Sequence, residues 1–284
     1  MRSDMRVVID PAELPAALDG PCVLVPTMGA LHVGHAALLR HAGQMAEQRG
    51  HRLAASIFVN PTQFNDPADL KDYPRPLDDD LALLRDAGVD VVLTPDVAAI
   101  YPPGDPAAAP SVRLPAVATE PGLEDRYRPG HFGGVCRVVS RLFDLFEPSV
   151  AVFGEKDWQQ YRVIDAMCRQ QSRAIEVVVS PTCRDERGVA MSSRNVHLSP
   201  GARQQLPGLI RSLRRAQAEL DPNGIEPRLR ERLSEAGFGV EYAVLRDADT
   251  LTRRPNAPDE FPSRILVTAT LEGVRLLDNV PWPA

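Results

Sequence analysis

The sequence predicts an α/β fold with a parallel β-sheet, followed by a smaller domain of mixed α and β structure. Short apolar runs alternate with helix-type patterns up to about residue 180, which is typical of successive βαβ units. Beyond that point the pattern changes to an amphipathic helix and two β segments. We therefore predict a sheet domain over residues 1–176 and a C-terminal α+β domain over residues 177–284.

The elements of the sheet domain follow from their apolar periodicity. Strands are predicted at residues 23–25, 53–59, 89–93, 150–153 and 175–179. Helices are predicted at residues 36–48, 78–87, 132–146 and 158–169. Asp78, Asp79 and Asp80 are interpreted as the N-cap of the second of these helices, and Gly88 as its end. Because ligands of parallel sheets bind beyond the carboxyl ends of the strands, polar residues after three of these strands should converge on one crevice.

The C-terminal domain has a different pattern. Apolar residues recur at helical spacing over residues 201–220, which predicts one amphipathic helix. Two later segments, at residues 240–244 and 264–271, predict β-strands.

Composition excludes several classes of protein. The chain has 284 residues, a hydrophobic fraction of 44% and a net charge of -6, which is typical of a globular protein and not of a general nucleic-acid or membrane binder. The N-terminal segment lacks the pattern of a signal peptide, and no apolar run is long enough to span a membrane. The four cysteines are scattered without a Cys-x-x-Cys pair, which predicts reduced, mostly buried thiols in a cytoplasmic protein.

The most informative segment covers residues 26–35, between the first predicted strand and its helix. A helix N-terminus attracts anions through its free N–H groups and its dipole. Gly29 and Gly34 let the backbone approach a ligand, and His32 and His35 can add charge or donate hydrogen bonds. This arrangement predicts a phosphate site, although solvated histidines at a helix cap are the simpler interpretation of a lone His-x-Gly-His.

Two later segments also favour phosphate binding. Residues 154–157 place Gly154, Glu155, Lys156 and Asp157 just beyond a strand, where a lysine suits a phosphate and an acid suits a ribose hydroxyl. Residues 191–195 combine two serine hydroxyls with a guanidinium in a loop, which can clamp a phosphate. A charged helix start and an ordinary polar turn are the respective alternatives.

Other polar residues are candidates for a second ligand. The amides of Gln63 and Gln160 could hold a small polar acid, or could simply lie at the surface. Arg128 could add positive charge to the crevice or face solvent. A carboxylate of the Asp78–Asp80 run could hold Mg²⁺ through water, although a helix cap is the simpler interpretation.

Taken together, these segments resemble the pantoate–β-alanine ligase family, a group of adenylate-forming, Rossmann-like enzymes. Any one of the matching motifs is weak, but six in the same order are highly specific. The motifs lie at residues 26–35, 59–64, 73–75, 128–132, 153–160 and 190–195.

The resemblance implies a nucleotide-binding Rossmann-like domain, a C-terminal lid domain, a homodimer, and use of ATP and Mg²⁺ with pantoate and β-alanine as substrates. Catalysis is expected of His35, as proton donor, together with His32, Lys156 and Arg194. Pantoate is expected to contact Gln63 and Gln160, and Arg128 and Tyr73 are expected to line the substrate pocket. Asp79 matches the position linked to Mg²⁺. The residues expected to bind ATP are Met28, Gly29, Ala30, Leu31, His32, Val33, Gly34, His35, Gly154, Glu155, Lys156, Asp157, Cys183, Met191, Ser192, Ser193 and Arg194.

The chain departs from the family pattern at several positions that leave the expected phosphate ligands in place. These are Gly133, Arg141, Cys183, Asp185 and His197. Three other functions start from a similar strand–helix motif: a nucleotidyltransferase, a class I aminoacyl-tRNA synthetase, and a nucleotide-sensing protein without catalysis. The acidic chain without an evident tRNA-binding extension argues against the synthetase. Nucleotidyltransferases are often shorter and need not have the Gln63 and Gln160 pair or a second domain, and a nucleotide-sensing protein would bind ATP without releasing pyrophosphate.

Overall fold

A computed structural model describes residues 4–104, 113–253 and 262–283. Contacts divide the chain into two compact units: residues 1–155 with 163–181, and residues 156–162 with 182–284. The first unit therefore includes the last predicted sheet strand, and the second includes a short segment that the sequence assigns to the sheet domain. The two units are defined by contacts alone. The predicted boundary between the sheet domain and the C-terminal domain, at residues 176 and 177, therefore stays a prediction.

The first unit is built on a six-stranded, fully parallel sheet, which confirms the predicted α/β class. Its strands lie in the order β1-β4-β3-β2-β5-β6, so the strand order reverses beside β2. Ligands of doubly wound sheets bind at such a reversal. The strands are β1 Arg6–Val8, β2 Cys22–Thr27, β3 Arg52–Ile57, β4 Val91–Leu93, β5 Val150–Gly154 and β6 Glu176–Ser180.

Helices connect these strands. Apolar side chains of β2, β3, β4 and β5 form one buried cluster with side chains of α2 and α4. Such a cluster forms because strands covered on both faces are apolar along their length. The helices are α1 Leu14–Leu18, α2 Val33–Arg49, α3 Pro67–Asp72, α4 Leu77–Asp86, α5 Val97–Ile100, α6 Glu124–Tyr127, α7 His131–Phe146 and α8 Trp158–Gln170.

Two expectations for the first unit are corrected. The strand β1 was not predicted, since a three-residue edge strand carries little periodicity; it pairs with β4. The run Asp78–Asp80 is not a cap, because α4 starts at Leu77 and its N-cap position is Pro76 without a side-chain hydrogen bond. The three carboxylates lie in the first turn, where their negative charge interacts favourably with the positive end of the helix dipole.

The second unit packs helices against a three-stranded antiparallel sheet, which confirms the predicted α+β class. Its elements are α9 Pro200–Gln205, α10 Pro207–Gln217, α11 Pro222–Glu235, β7 Gly239–Asp247, β8 Ser263–Leu271 and β9 Val274–Trp282. The single helix predicted over residues 201–220 is wrong, because Pro207 cannot donate an intrahelical hydrogen bond and starts a new helix. Helix α11 and strand β9 were not predicted.

All four cysteines lie in the described ranges and are free thiols. Burial raises the pKa of Cys22 and Cys136 to about 12 and that of Cys168 to about 11. These three thiols are therefore protonated and behave as small apolar side chains, whereas Cys183 is partly exposed. Among the helices of the described ranges, none is both long and apolar enough to cross a membrane.

Candidate active site

The turn between β2 and α2 presents two histidines at a helix start. His32 is the N-cap of α2, and its Nδ1 accepts a hydrogen bond from the Gly34 N–H at 3.0 Å. His35 Nδ1 accepts from the His32 N–H at 3.2 Å, which completes a reciprocal capping box. Because both Nδ1 atoms accept, each neutral ring carries its proton on Nε2. The pair is therefore suited to donate hydrogen bonds to an anion.

The approach to this helix is a left-handed turn held by Asp80. Gly29 and Ala30 have φ angles of 79° and 50°, a conformation that an L-residue adopts only at a cost. The Asp80 carboxylate accepts from the N–H of Ala30 at 2.9 Å and from that of Leu31 at 2.6 Å. A Cβ at Gly29 would lie 2.8 Å from Asp80 Oδ2, so the close approach requires glycine.

This role of Asp80, which is 2% exposed, was not predicted from the sequence. Burial raises its pKa, the two backbone N–H bonds oppose that rise, and the neighbouring Asp79 adds to it. The available signal was the run of three acids on one helix turn, but the sequence does not show that one of them points to a turn fifty residues away. Asp79, the expected Mg²⁺ position, is exposed on α4.

Gln63 lies in a short 3₁₀ helix, Pro61–Gln63, next to the same turn. Its Oε1 accepts from Asn60 Nδ2 at 2.9 Å, and its Nε2 contacts Met28 Sδ at 3.0 Å. Asn60 is fully buried and also donates to the Gly134 carbonyl at 3.1 Å. The structure therefore brings Gln63 and the turn that starts at Met28 together, as the sequence predicted for residues after neighbouring strands.

Arg128 is connected to Gln63 through a histidine that was not predicted. His131 contacts the Gln63 carbonyl through Nδ1 at 2.9 Å and Arg128 through Nε2 at 3.0 Å. A guanidinium only donates, so Nε2 accepts and Nδ1 donates to the carbonyl. Glu124 lies 3.9 Å from Arg128. Tyr73 packs its ring edge-on against Phe64, with 5.6 Å between the ring centroids.

The remaining predicted residues divide between the two units. Gly154 and Glu155 belong to the first unit, at and just beyond the end of β5. Lys156, Asp157 and Gln160 belong to the second, although the sequence assigns Lys156 to the sheet domain. The physical reason is that this segment bonds to the second unit: Trp158 Nε1 donates to the Ala248 carbonyl at 2.8 Å.

Within the second unit, Lys156, Ser192 and Arg194 line one small cavity. Ser192 is the N-cap of the 3₁₀ helix Ser193–His197, and its Oγ accepts from the Arg194 N–H at 3.3 Å. The lining of this cavity combines cationic groups and the carboxylate of Asp278 with apolar residues. The apolar residues of the lining include Val189, Leu206, Leu209, Ile210 and Leu276.

Cys183 and Met191 sit at the two ends of a short hairpin. The Met191 N–H donates to the Cys183 carbonyl at 2.9 Å, and Arg184 pairs with Ala190 across the hairpin. Asp185 closes its turn by accepting from the Val189 and Arg187 N–H groups, each at 2.9 Å. Burial opposes ionisation of Asp185, but these bonds and those from the Arg187 guanidinium hold its pKa below the usual range.

A doubly wound parallel sheet with a helix start at its strand reversal is typical of the class of α/β nucleotide-binding proteins. The family profile described as Pantoate-beta-alanine ligase matches residues 5–281. The chain therefore belongs to the pantoate–β-alanine ligase family, and it is a pantothenate-forming ligase.

Individual relatives agree. A pantothenate synthetase of Bradyrhizobium sp. is 44% identical over 266 residues, covering 90% of this chain and 89% of that protein. One of Rhodospirillum rubrum is 43% identical over 283 residues, covering 98% and 96%. The crystal structure of pantothenate synthetase from Thermus thermophilus has 39% identity and a TM-score of 0.87, covering 97% of this chain and 99% of that chain. The ligase from Francisella tularensis, complexed with "Beta-gamma ATP and Beta-alanine", has 29% identity and a TM-score of 0.78, covering 97% of both chains.

Proposed function

We propose that the enzyme joins pantoate to β-alanine in two steps. A pantoate carboxylate oxygen attacks the α-phosphorus of ATP, and the bond to pyrophosphate breaks to leave pantoyl adenylate. The β-alanine amine then attacks the acyl carbon, forms the amide, loses a proton and releases AMP. The Francisella relative, whose structure is complexed with "Beta-gamma ATP and Beta-alanine", supports the choice of ATP and β-alanine.

The observation that carries the proposal is that each unit contains a set of side chains suited to bind phosphate. In the first unit, His32 and His35 carry their ring protons on Nε2, because each Nδ1 accepts a backbone N–H at the start of α2. In the second, Lys156 and Arg194 line one cavity with Ser192. Two anions, a carboxylate and a triphosphate, must meet in the first step, and preorganised donors of this kind stabilise the charge that develops there.

The remaining roles follow the resemblance to the family. The turn over residues 28–35, Gly154, Glu155, Asp157 and Cys183 contact ATP, while Met191 and Ser193 support the phosphate ligands. Gln63, Gln160, Arg128 and Tyr73 contact pantoate. The buried position of Gln63 beside Met28 supports this placement, since an amide held between the ATP turn and its own segment can orient an acid next to the α-phosphate.

Mg²⁺ is proposed as the metal, bound mainly through the phosphates of ATP with Asp79 as protein ligand. Over the described residues no group of three or more His, Cys, Asp or Glu side chains is arranged to hold a metal ion. Mg²⁺ keeps waters and uses one or two carboxylates together with substrate phosphates, and the exposed carboxylate of Asp79 on α4 suits that role. The ion would neutralise phosphate charge during attack.

The chain is further proposed to act as a homodimer in the cytoplasm, as its family resemblance implies. Residues 177–284 are proposed as a lid that shields the acyl adenylate from water. Hydrogen exchange over residues 185–197 should slow when ATP and pantoate are added. Equal protection with and without ligands, together with an unchanged ratio of AMP to pantothenate for Arg194→Ala, would reject the lid.

Isotope exchange between pyrophosphate and ATP tests the proposed chemistry directly. Exchange should require pantoate and proceed without β-alanine, because the adenylate forms before the amine reacts. In the same assay Lys156→Ala should lose exchange. Lys71→Ala is its matched control, since Lys71 is exposed on α3 and is the only lysine in the sequence besides Lys156. Exchange that needs β-alanine, or ADP as product, would contradict the two-step reaction.

A further inference from the structure

Two adjacent residues of β9, Asp278 and Asn279, contact both phosphate-binding segments of the second unit. Successive residues of a strand point to opposite faces, so neighbours on one strand can reach different parts of the unit. Asp278 reaches the hairpin that leads to Met191, and Asn279 reaches the backbone of Lys156. Neither residue was singled out in the sequence.

Asp278 binds Arg184 through two parallel hydrogen bonds of 2.7 and 2.9 Å. The Asp278 side chain is 4% exposed and that of Arg184 19%, so water screens the carboxylate little and the paired bonds define the geometry. Arg184 also donates to the Gly188 carbonyl at 3.1 Å, inside the same hairpin. The pair therefore fixes the segment that continues into Ser192 and Arg194, and Asp278 itself lines their cavity.

Asn279 Nδ2 donates to the Lys156 carbonyl at 2.9 Å. Its Oδ1 accepts from the Arg264 guanidinium, which stacks on the Trp158 ring at 3.6 Å from the centroid. Trp158 in turn follows Lys156 by two residues. The Lys156 segment is thus held by an amide of β9 and by a stacked cation of β8.

We infer that Asp278 and Asn279 are positioning residues for the adenylation step, which set the Lys156 ammonium and the Ser192–Arg194 segment at a fixed separation. The inference rests on the proposed roles of Lys156 and Arg194. A displacement of about 1 Å in such groups costs up to about a hundredfold in rate. Both residues act through others, since Asp278 is bonded to Arg184 and Asn279 to a backbone carbonyl.

The test uses isosteric variants of the full-length enzyme in pantoate-dependent pyrophosphate–ATP exchange. Asp278→Asn removes the charge of the Arg184 pair, and Asn279→Asp removes the donor to Lys156. Each should lower kcat of exchange by about 10- to 100-fold and change KM for ATP much less, because the phosphate ligands remain present. Glu219→Gln, which breaks an ion pair of the same unit with Arg228 and Arg232, is the control and should leave both constants unchanged.

A double-mutant cycle separates positioning from a general structural role. In a Lys156→Ala background, Asn279→Asp should cost less than about twofold further in kcat, and Asp278→Asn likewise in an Arg194→Ala background. If either loses the same factor with and without its target residue, the positioning role is wrong. Should Asp278→Asn fail to fold, Arg184→Lys keeps the charge, loses the paired bonds and is subject to the same cycle.

The outcomes also separate this inference from the proposed function. Loss of exchange in Lys156→Ala and Arg194→Ala, with unchanged kcat in Asp278→Asn and Asn279→Asp, overturns the positioning role and leaves the reaction intact. Full exchange in Lys156→Ala and Arg194→Ala overturns the proposed roles on which it rests.

Discussion

The two units hold their proposed phosphate ligands in different ways. In the first, the two histidines cap the helix that carries them. Their orientation therefore comes from hydrogen bonds between residues two or three positions apart in the sequence. In the second, the ligand segments depend on β9, with contacts that span 94 residues to Arg184 and 123 residues to Lys156. Asp80 is the exception in the first unit, since it bonds Leu31 over 49 residues.

The difference indicates which ligands a distant mutation can disturb. A capping box is stabilised by the helix itself, so it should tolerate changes elsewhere in the sheet. A segment bonded to a remote strand moves with that strand. We therefore expect the second unit to be the more sensitive of the two to substitutions away from the site.

The largest expected effects are those of His35→Ala and Lys156→Ala. Each should lower kcat by about 10²- to 10³-fold, as the loss of a transition-state donor does. His35→Ala should also cost about 1 kcal/mol of unfolding free energy, because a helix cap is lost. Lys156→Ala should leave stability nearly unchanged, since its ammonium pairs with the partly exposed Asp157 at a loose 3.7 Å. Steady-state kinetics with urea unfolding checks both, and near-normal kcat in either variant would remove that residue from the mechanism.

Asp80→Asn tests the long-range contact of the first unit. The amide can accept one of the two backbone N–H bonds but not both with full strength, so the left-handed turn should loosen. We expect kcat/KM for ATP to fall about 10- to 100-fold and the unfolding free energy to fall by about 1–3 kcal/mol. Asp78→Asn, an exposed acid two residues earlier, is the control and should stay within about 0.5 kcal/mol. Equal behaviour of the two variants would show that Asp80 does not hold the turn.

Gly134→Ala probes the packing of α7 against the Gln63 segment. A Cβ there would lie 2.3 Å from the Thr62 carbonyl oxygen and 2.7 Å from Gln63 Cα. Overpacking of this kind costs about 1–3 kcal/mol, and a displaced Gln63 should raise KM for pantoate more than KM for ATP. In Gly133→Ala the new Cβ meets nothing within 4 Å, so this neighbour should stabilise the helix by up to about 1 kcal/mol. Matching stabilities for the two variants would contradict the close contact.

The smallest effect concerns acid stability of the second unit. Burial opposes ionisation of Glu219, but hydrogen bonds from Arg232 and Arg228 hold its pKa below the usual range. A lowered folded-state pKa contributes stability above the unfolded pKa, and that contribution is lost as pH falls through the folded value. Glu219→Gln should therefore lower the urea midpoint at about pH 7 and make little difference at about pH 3. If the urea midpoints of wild type and variant differ by the same amount at both pH values, the effect comes from side-chain packing and not from charge.

Much of the fold and part of the site could be predicted because their signals are local. The strands around β2 are continuous apolar runs, and the segment with Gly29, His32 and His35 combines a strand end, a turn and a helix start within ten residues. Predictions of where an element ends were less accurate, as the helix divided at Pro207 shows. The edge strand β1 was missed because it has only three residues. Periodicity reports burial, and it carries little information on short edge elements.

By itself, the sequence determined the fold class, the family resemblance and the residue types that we propose as phosphate ligands. Those features depend on the order of side chains along a strand, a turn and a helix, where neighbours in the chain are neighbours in space. Only the tertiary structure decided that Asp80 supports the Ala30 turn, that Lys156 belongs with the second unit, and that Asp278 and Asn279 bond to the segments around it. These contacts join residues 50 to 123 positions apart, and no pattern within one element records which distant carboxylate or amide will meet a given backbone group.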